Sequence, residues 1–241
     1  MVEKLNMKKS EIQIVWFKRD LRISDHKPLH RASENKIPTL LIYIVEPEYW
    51  RQPFANRRHW YFINDTLTEL REDLKKIDQN LVVRVGSVTD IFQKLLLKHC
   101  IKNIFAHEET GNQWTYDRDI DVQQWCKKNN ITLNEYHTNG VVRGLKNRSK
   151  WSQIRYTRMK EKLIEVPGIT TPLENIEEGI IPQKDDPIFK YNFRGQVQRG
   201  GRKEALKILD SFLDQRGKGY LSNISSPGDS EIHGSRISPH L

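Results

Sequence analysis

Cysteine is scarce in this chain of 241 residues, which contains only Cys100 and Cys126. Two cysteines are too few for the disulfide framework of a small secreted domain, and neither lies at the spacing of a metal-binding motif. No run of eighteen apolar residues occurs, so the sequence predicts no transmembrane helix. The first eleven residues are charged and lack an apolar segment, which predicts no secretory signal. We therefore expect free thiols, a reducing cytoplasm as the location, and no membrane partner.

Acidic residues are also in deficit, with 31 Asp and Glu against 40 Lys and Arg. The net charge of +9 and the isoelectric point of about 9.4 favour a polyanionic partner without identifying one. Hydrophobic residues make up 37% of the chain, and the mean hydropathy is -0.71. This composition supports a packed core beneath a strongly polar surface.

Short apolar segments alternate with helical patterns in the first half of the chain. The predicted strands are residues 12–17, 40–45, 81–85, 101–106 and 131–136. Between them, apolar side chains recur at spacings of three and four, most clearly at Trp60, Ile63, Leu67, Leu70 and Leu74. Asp25 before Pro28, and Ser87 before Asp90, predict two helix N-termini. Residues 12–137 are therefore predicted to form a doubly wound, Rossmann-like α/β domain with five parallel strands.

The second half of the chain has a different character. Residues 138–199 are basic and contain prolines, and we predict that they form a long, irregular interdomain linker. Within it, Trp151 and Tyr156 interleave with basic residues, which predicts either a nucleic-acid surface or a solvated connector with tucked aromatic rings. Residues 200–241 are predicted to form a short helical C-terminal piece, with Ala205, Ile208, Leu209 and Phe212 on one face.

The loops that follow the first and fourth strands are the first places to look for a site, because a doubly wound sheet binds ligands beyond the carboxyl ends of its strands. The first loop, Lys18-Arg19-Asp20-Leu21-Arg22, contains no glycine, which argues against a dinucleotide or P-loop site. Its charges predict either an internal ion-pair network or direct contact with a ligand.

The second loop contains His107, Glu108 and Glu109. Its carboxylates can accept hydrogen bonds from a heterocycle, or they can complement the dipole of the helix expected near Thr115. No histidine has a cysteine or carboxylate partner at metal-ligand spacing, so the sequence predicts no metal site, and no residue is assigned as catalytic.

The last residues of the sequence have the pattern of a helix start. Ser238 is a suitable N-cap and Pro239 a suitable first helical residue, yet only two residues follow them. We therefore expect the chain to be cut off, either as a decayed product or as one part of a split protein whose C-terminal half is encoded separately.

Several motifs in the same order resemble the photolyase/cryptochrome family, flavoproteins that use blue light to repair pyrimidine dimers in DNA or to signal. The matching motifs are Val15-Trp16-Phe17-Lys18-Arg19-Asp20-Leu21-Arg22 with Asp25, Tyr43-Ile44-Val45-Glu46-Pro47, His107-Glu108-Glu109-Thr110-Gly111, Gly140-Val141-Val142-Arg143, Trp151-Ser152, Arg158-Met159, Gly200-Gly201, Phe212-Leu213, Tyr220 and Ser235-Arg236-Ile237-Ser238-Pro239-His240-Leu241. They span nearly all of the chain from about Ile12.

The resemblance implies an N-terminal α/β domain, often with an antenna chromophore (a folate, a deazaflavin or a second flavin), followed by a helical domain that holds FAD and receives damaged DNA. It implies that the first contacts to the FAD phosphates are Tyr220, Ser235, Arg236, Ile237 and Ser238. His107, Glu108 and Glu109 become a candidate antenna site. Gly234 departs from the family pattern, which commonly has a hydroxyl or thiol residue at this place.

The expected function is light-dependent DNA repair or cryptochrome signalling in a full-length relative. Most of the FAD domain would lie past Leu241, so we expect the chain to be inactive alone. The alternative is a non-enzymatic module that binds an antenna chromophore or docks a partner.

Overall fold

The computed structural model describes residues 9–168, 171–190 and 195–240. The strands are β1 (Glu11–Phe17), β2 (Thr39–Val45), β3 (Leu81–Val85), β4 (Cys100–His107) and β5 (Thr132–Tyr136). The α-helices are α1 (Lys27–Ser33), α2 (Pro47–Trp50), α3 (Arg57–Lys75), α4 (Val88–Lys98), α5 (Gln113–Lys128), α6 (Trp151–Met159), α7 (Arg202–Asp214), α8 (Tyr220–Asn223) and α9 (Ser230–His233). Two 3-10 helices cover Arg216–Gly219 and Ser238–His240. Parts of the predicted linker and C-terminal piece, residues 169–170, 191–194 and 241, lie outside the described residues.

The five strands form one parallel sheet in the order β3-β2-β1-β4-β5. This confirms the predicted doubly wound α/β fold. The direction of winding reverses between β1 and β4, where Trp16 pairs with Ala106. The carboxyl ends of these two strands, at Phe17 and His107, therefore lie side by side, which is the usual place for a ligand crevice in such sheets.

One core cluster of the sheet domain lies on the face of the strands that α4 and α5 cover. Because successive strand residues point to opposite faces, alternate residues of each strand enter this core. Its buried members are Ile12, Ile14, Trp16, Leu40, Ile42, Ile44, Val82, Val88, Ile91, Phe92, Ile101, Ile104, Ala106, Val122, Cys126 and Ile131. The first two strands are buried on both faces, as the nearly continuous apolar runs predict.

The N-terminus of α1 differs from the prediction. Its N-cap is His26, whose Nδ1 accepts the Leu29 N–H at 3.1 Å, and not Asp25. Asp25 has a φ of 51°, which turns the chain before the helix, and its Oδ1 accepts the Ile164 N–H at 3.2 Å. Ser87 caps α4 as predicted by accepting the Asp90 N–H.

The predicted irregular linker contains helix α6, which the sequence pattern did not reveal. No residue of α6 is buried, so the helix has no apolar stripe that a periodicity argument could detect. A later part of the linker runs along the sheet domain: Thr39 donates its N–H to Thr171 O, and Val83 donates its N–H to Glu178 O. These backbone bonds fix that segment beside β2 and β3.

Contacts divide the chain into two compact units. One runs up to Tyr49 and resumes from Arg71 to Ile180, and it contains the whole sheet. The other comprises Trp50–Leu70 and the chain from Ile181 onward. Inside this second unit, Phe189 stacks on Trp60 with ring centroids 4.3 Å apart. The boundaries 12–137, 138–199 and 200–241 stay a prediction.

Both cysteines are free thiols, as expected. Within the described residues, none of the helices is both long enough and apolar enough to cross a bilayer.

Candidate functional site

The loop after β1 turns its acidic side chain into the protein, at the point where β1 and β4 end. Asp20 Oδ1 accepts the backbone N–H of Lys18 at 2.7 Å. Asp20 Oδ2 lies 2.6 Å from Nδ1 of His107 and 2.8 Å from Nε2 of His26. All three side chains are buried. One carboxylate thus joins the loop, the last residue of β4 and the N-cap of α1.

The ligand atoms of Asp20, His26 and His107 lie within 4.8 Å of one another, which is the spacing that a metal site needs. The protonation of His26 argues against that use. Its Nδ1 accepts the N–H of Leu29, so the proton of the neutral ring is on Nε2, which faces Asp20. A nitrogen that carries a proton has no lone pair for a metal ion. The cluster is therefore better described as one carboxylate that contacts a backbone N–H and two histidine rings.

The charges in this cluster follow from its burial and contacts. Burial opposes ionisation of Asp20, but the neighbouring His26 and His107 outweigh it and hold the pKa of this carboxyl well below its usual value. Burial lowers the pKa of His107 despite the attraction of Asp20. At neutral pH the cluster therefore contains an ionised Asp20 and an uncharged His107.

A second group of charges fills the same edge of the sheet, and we call it the edge network. It consists of the cations Lys18, Arg19, Arg118 and Arg143 and the carboxylates Glu46, Glu109, Asp119 and Glu135. The loop after β1 supplies Lys18 and Arg19, and the loops after β2 and β4 supply Glu46 and Glu109. Helix α5 supplies Arg118 and Asp119, β5 supplies Glu135, and the chain after β5 supplies Arg143. The formal charges of the network cancel.

Arg118 is the centre of the edge network. Its guanidinium contacts Glu46 at 2.8 Å, Glu109 at 2.6 Å and Asp119 at 2.8 Å. Lys18 is 3.0 Å from Asp119 and only 3% exposed. Buried ions require such partners, because removing a charge from water is costly unless an opposite charge and hydrogen bonds replace the water.

The aromatic ring of Trp16 lies beneath both cations. Lys18 Nζ is 4.4 Å from the ring centroid, and the guanidinium carbon of Arg118 is 4.9 Å from it. The electron-rich face of an indole attracts cations at these distances. The crevice that holds phosphates in glycine-loop proteins is thus occupied here by the protein's own side chains, and the loop Lys18–Arg22 forms ion pairs, one of its two predicted roles.

The three candidate antenna residues have different environments. His107 is engaged with Asp20, and both carboxylate oxygens of Glu109 are in the edge network, one with Arg19 and one with Arg118. Glu108 is half-buried, and its backbone N–H donates to Tyr136 O. Their role towards a pigment stays a prediction.

The candidate FAD residues lie in the second unit. Tyr220 begins α8 and packs edge-on against Phe212, with centroids 5.6 Å apart. The segment after α9 is held by its carbonyl groups: Arg216 donates to Ser235 O at 3.3 Å, and Gln198 donates to Arg236 O at 2.7 Å. Arg236 has a φ of 58°, in the left-handed region. These hydrogen bonds use the backbone carbonyls of Ser235 and Arg236 and not their side chains.

Sequence reasoning missed His26, Glu46, Arg118 and Asp119 as parts of this edge. Asp20 and His107 are 87 residues apart, and only the pairing of β1 with β4 brings them together. Of the four missed residues, only Glu46 could have been predicted to lie at this edge, because it directly follows a strand.

The fold and the glycine-free, ion-filled crevice define a Rossmann-like α/β protein that does not use a dinucleotide loop. Comparison with known proteins specifies it further. The family model for DNA photolyase matches residues 13–159, which is more than half of the chain. The chain belongs to the DNA photolyase family.

Individual relatives agree with this assignment. Cryptochrome DASH of Synechocystis is 28% identical over 116 residues, which are 46% of this chain and 23% of that protein. A deoxyribodipyrimidine photo-lyase of Buchnera aphidicola is 24% identical over 234 residues, 86% of this chain and 46% of that protein. The crystal structure of the archaeal photolyase from Sulfolobus tokodaii with two FAD molecules superimposes with a TM-score of 0.71 at 21% identity, covering 95% of this chain and 51% of that one. The chain thus spans about half or less of these relatives' length.

The first prediction concerns the buried carboxylate. Asp20→Ala removes the acceptor of the Lys18 N–H and of the His107 ring. Each of these two abandoned buried donors costs about 1 to 3 kcal/mol, so the free energy of unfolding should fall by about 2 to 6 kcal/mol in urea titrations. The exposed Asp121→Ala is the matched control and should change it by less than about 0.5 kcal/mol. Equal effects of the two substitutions would show that Asp20 is not an anchor.

The second prediction concerns pH. Burial raises the pKa of Glu46 to about 7 from its ordinary 4.5, against the attraction of Arg118. The folded protein therefore binds this proton more tightly than the unfolded chain, and stability falls as pH rises from about 4.5 to about 7. Glu46→Gln should remove a fall on the order of 3 kcal/mol over that interval.

The measurement is the difference between the unfolding free energies of wild type and Glu46→Gln at each pH, since the titration of His107 is common to both. The exposed Glu165→Gln is the control and should give a flat difference. A flat difference for Glu46→Gln as well would contradict the raised pKa.

Proposed function

We propose that this chain is the α/β part, with the start of the flavin domain, of a light-dependent, FAD-containing protein of photolyase or cryptochrome type. Its complete form would act on pyrimidine dimers in damaged DNA or signal with light. The observation that carries the proposal is the family match over residues 13–159 on the matching fold. The relatives' names as a photo-lyase and as cryptochromes leave both activities open.

The candidate FAD segment has the donors that a phosphate requires. Among the described residues, the hydroxyls of Ser235 and Ser238 and the guanidinium of Arg236 form no hydrogen bond or ion pair, while the segment's backbone is fixed by Arg216. Hydroxyl and guanidinium groups on a fixed backbone suit phosphate oxygens. We propose that Ser235, Arg236, Ile237 and Ser238, with Tyr220, hold the FAD phosphates. When bound, FAD supplies the light-driven electron transfer.

We further propose that these 241 residues are inactive alone. The residues assigned to FAD contact its phosphates only, and the isoalloxazine ring and a flipped base each need a pocket. A separately encoded C-terminal half is the partner that would supply them. The free cysteines support a cytoplasmic location.

The third prediction tests this proposal on the purified chain. After incubation with FAD and removal of free flavin, the protein should retain much less than one FAD per chain. Blue light should leave cyclobutane dimers in an oligonucleotide intact, as judged by the absorbance of the repaired bases. Stoichiometric flavin together with light-dependent dimer loss would refute the claim of inactivity. Intact dimers with stoichiometric flavin would refute only the incomplete FAD site.

A second candidate function is an antenna or docking module without enzymatic activity. The aromatic rings of Tyr49 and Trp114, both half-buried, meet edge to face with centroids 5.4 Å apart, beside Arg118. Such rings can stack on the flat heterocycle of a folate, a deazaflavin or a flavin. Glu108, outside the edge network, would accept hydrogen bonds from it.

The fourth prediction follows from this alternative. Protein purified from its native host should show a near-ultraviolet or blue absorption band, and Trp114→Ala should lose most of it. Trp125→Ala, a substitution of a half-buried tryptophan far along the same helix, is the control and should keep the band. A colourless wild-type protein would count decisively against the antenna module.

A further inference from the structure

The excess positive charge of the chain is concentrated around helix α6. Residues 146–162 contain seven basic side chains and a single acidic one, which is Glu161. The basic residues are Lys146, Arg148, Lys150, Arg155, Arg158, Lys160 and Lys162. Glu161 is already paired with His137 at 3.1 Å. This segment thus carries a net +6, two thirds of the net +9 of the whole chain.

The helix also exposes aromatic rings among these cations. Tyr156 is 60% exposed and Trp151 is 40% exposed. Lys160 Nζ lies 4.2 Å from the Tyr156 ring centroid, and the guanidinium carbon of Arg155 lies 6.0 Å from that of Trp151. We call Lys150, Trp151, Arg155, Tyr156 and Lys160 the α6 surface. In the part of the chain that the structure describes, no carboxylate pairs with its three cations.

The α6 surface is held firmly on the sheet domain although none of its residues is buried. Arg158 donates to Val141 O at 2.7 Å. Gly140 allows close packing, because a Cβ there would lie 2.5 Å from Cγ of Arg155. After the helix, Asp25 and Ile164 exchange two hydrogen bonds, from the N–H of Asp25 to Ile164 O and from the N–H of Ile164 to Asp25 Oδ1. The exposed rings and cations are therefore presented by a fixed helix.

We propose that the α6 surface binds single-stranded nucleic acid, with phosphates at Lys150, Arg155 and Lys160 and unpaired bases stacked on Trp151 and Tyr156. Cations attract the phosphate backbone, and aromatic rings stack on bases of any sequence. The rings favour a single strand, because in a duplex the base faces are already covered by neighbouring base pairs. This binding needs neither light, flavin nor a lesion, so it is separate from the repair activity proposed above.

The fifth prediction is measured in the dark with a fluorescein-labelled 15-nucleotide oligo-dT, by fluorescence anisotropy at 50 mM salt. Wild type should bind it, and Tyr156→Ala should weaken the affinity about tenfold, since stacking contributes about 1 to 3 kcal/mol per base. Tyr156→Phe keeps the ring and should change the affinity less than about twofold. Because α6 has no buried residue, these variants should keep the fold, which circular dichroism checks.

The phosphate contacts are tested through salt dependence. The double variant Lys150→Gln, Lys160→Gln should reduce the slope of log affinity against log salt by about 1.4, or about 0.7 for each lost phosphate contact. The control is Lys127→Gln, Lys128→Gln at the exposed end of α5, which removes the same charge and should leave the slope nearly unchanged.

Three results would overturn the proposal, and a fourth would overturn its preference for a single strand. The first is the absence of oligo-dT binding at 50 mM salt, and the second is binding that Tyr156→Ala and the Lys150, Lys160 variant leave unchanged. The third is a dimer, detected by sedimentation, that Tyr156→Ala dissociates and that oligo-dT does not disrupt. In that case the α6 surface would bind a second copy of the chain. A 15-base-pair duplex that binds as tightly as oligo-dT would remove the single-strand specificity and the stacking role with it. The outcome is independent of whether the chain retains FAD.

Discussion

The structure of the sheet edge depends on one buried carboxylate, Asp20. It is ionised although it is buried, because the Lys18 N–H and the rings of His26 and His107 surround the carboxylate in place of most of the water. These three groups belong to the loop after β1, to the cap of α1 and to the end of β4. Because all three groups contact the two carboxylate oxygens of Asp20, the loop leaves the sheet in a fixed direction. The Lys18 side chain therefore points inward.

The inward Lys18 in turn requires the edge network. A buried ammonium group needs a carboxylate, which Asp119 provides, and Asp119 is shared with Arg118 and Arg143. The result is a balanced set of charges in the crevice where other doubly wound proteins place a phosphate. The rim of the network, where Tyr49 and Trp114 lie, is therefore where we propose that a ligand of this edge would bind.

Most of the fold could be predicted from the sequence, whereas the site could be predicted only in part. Four of the five strands are mainly apolar and α3 has a regular apolar spacing, so local pattern was enough for these elements. The cap at His26 was missed because histidine is an uncommon cap and Asp25 stood beside it. Helix α6 was missed because a helix without a buried face leaves no periodic signal. The edge network depends on strand order, which brings Lys18 to Asp119 across 101 residues and which no local pattern encodes.

The distribution of charge separates two kinds of surface on the sheet domain. In the edge network, four cations meet four carboxylates, so this edge has little attraction for a polyanion despite its many arginines. Around α6 the cations have almost no acidic partners among the described residues, and their field reaches into solvent to about a Debye length, roughly 8 to 10 Å at physiological salt. The net charge of +9 for the whole chain therefore does not describe the local charge of either surface. The physical consequence is that a nucleic acid approaching this chain is drawn to the helix and not to the carboxyl edge of the sheet.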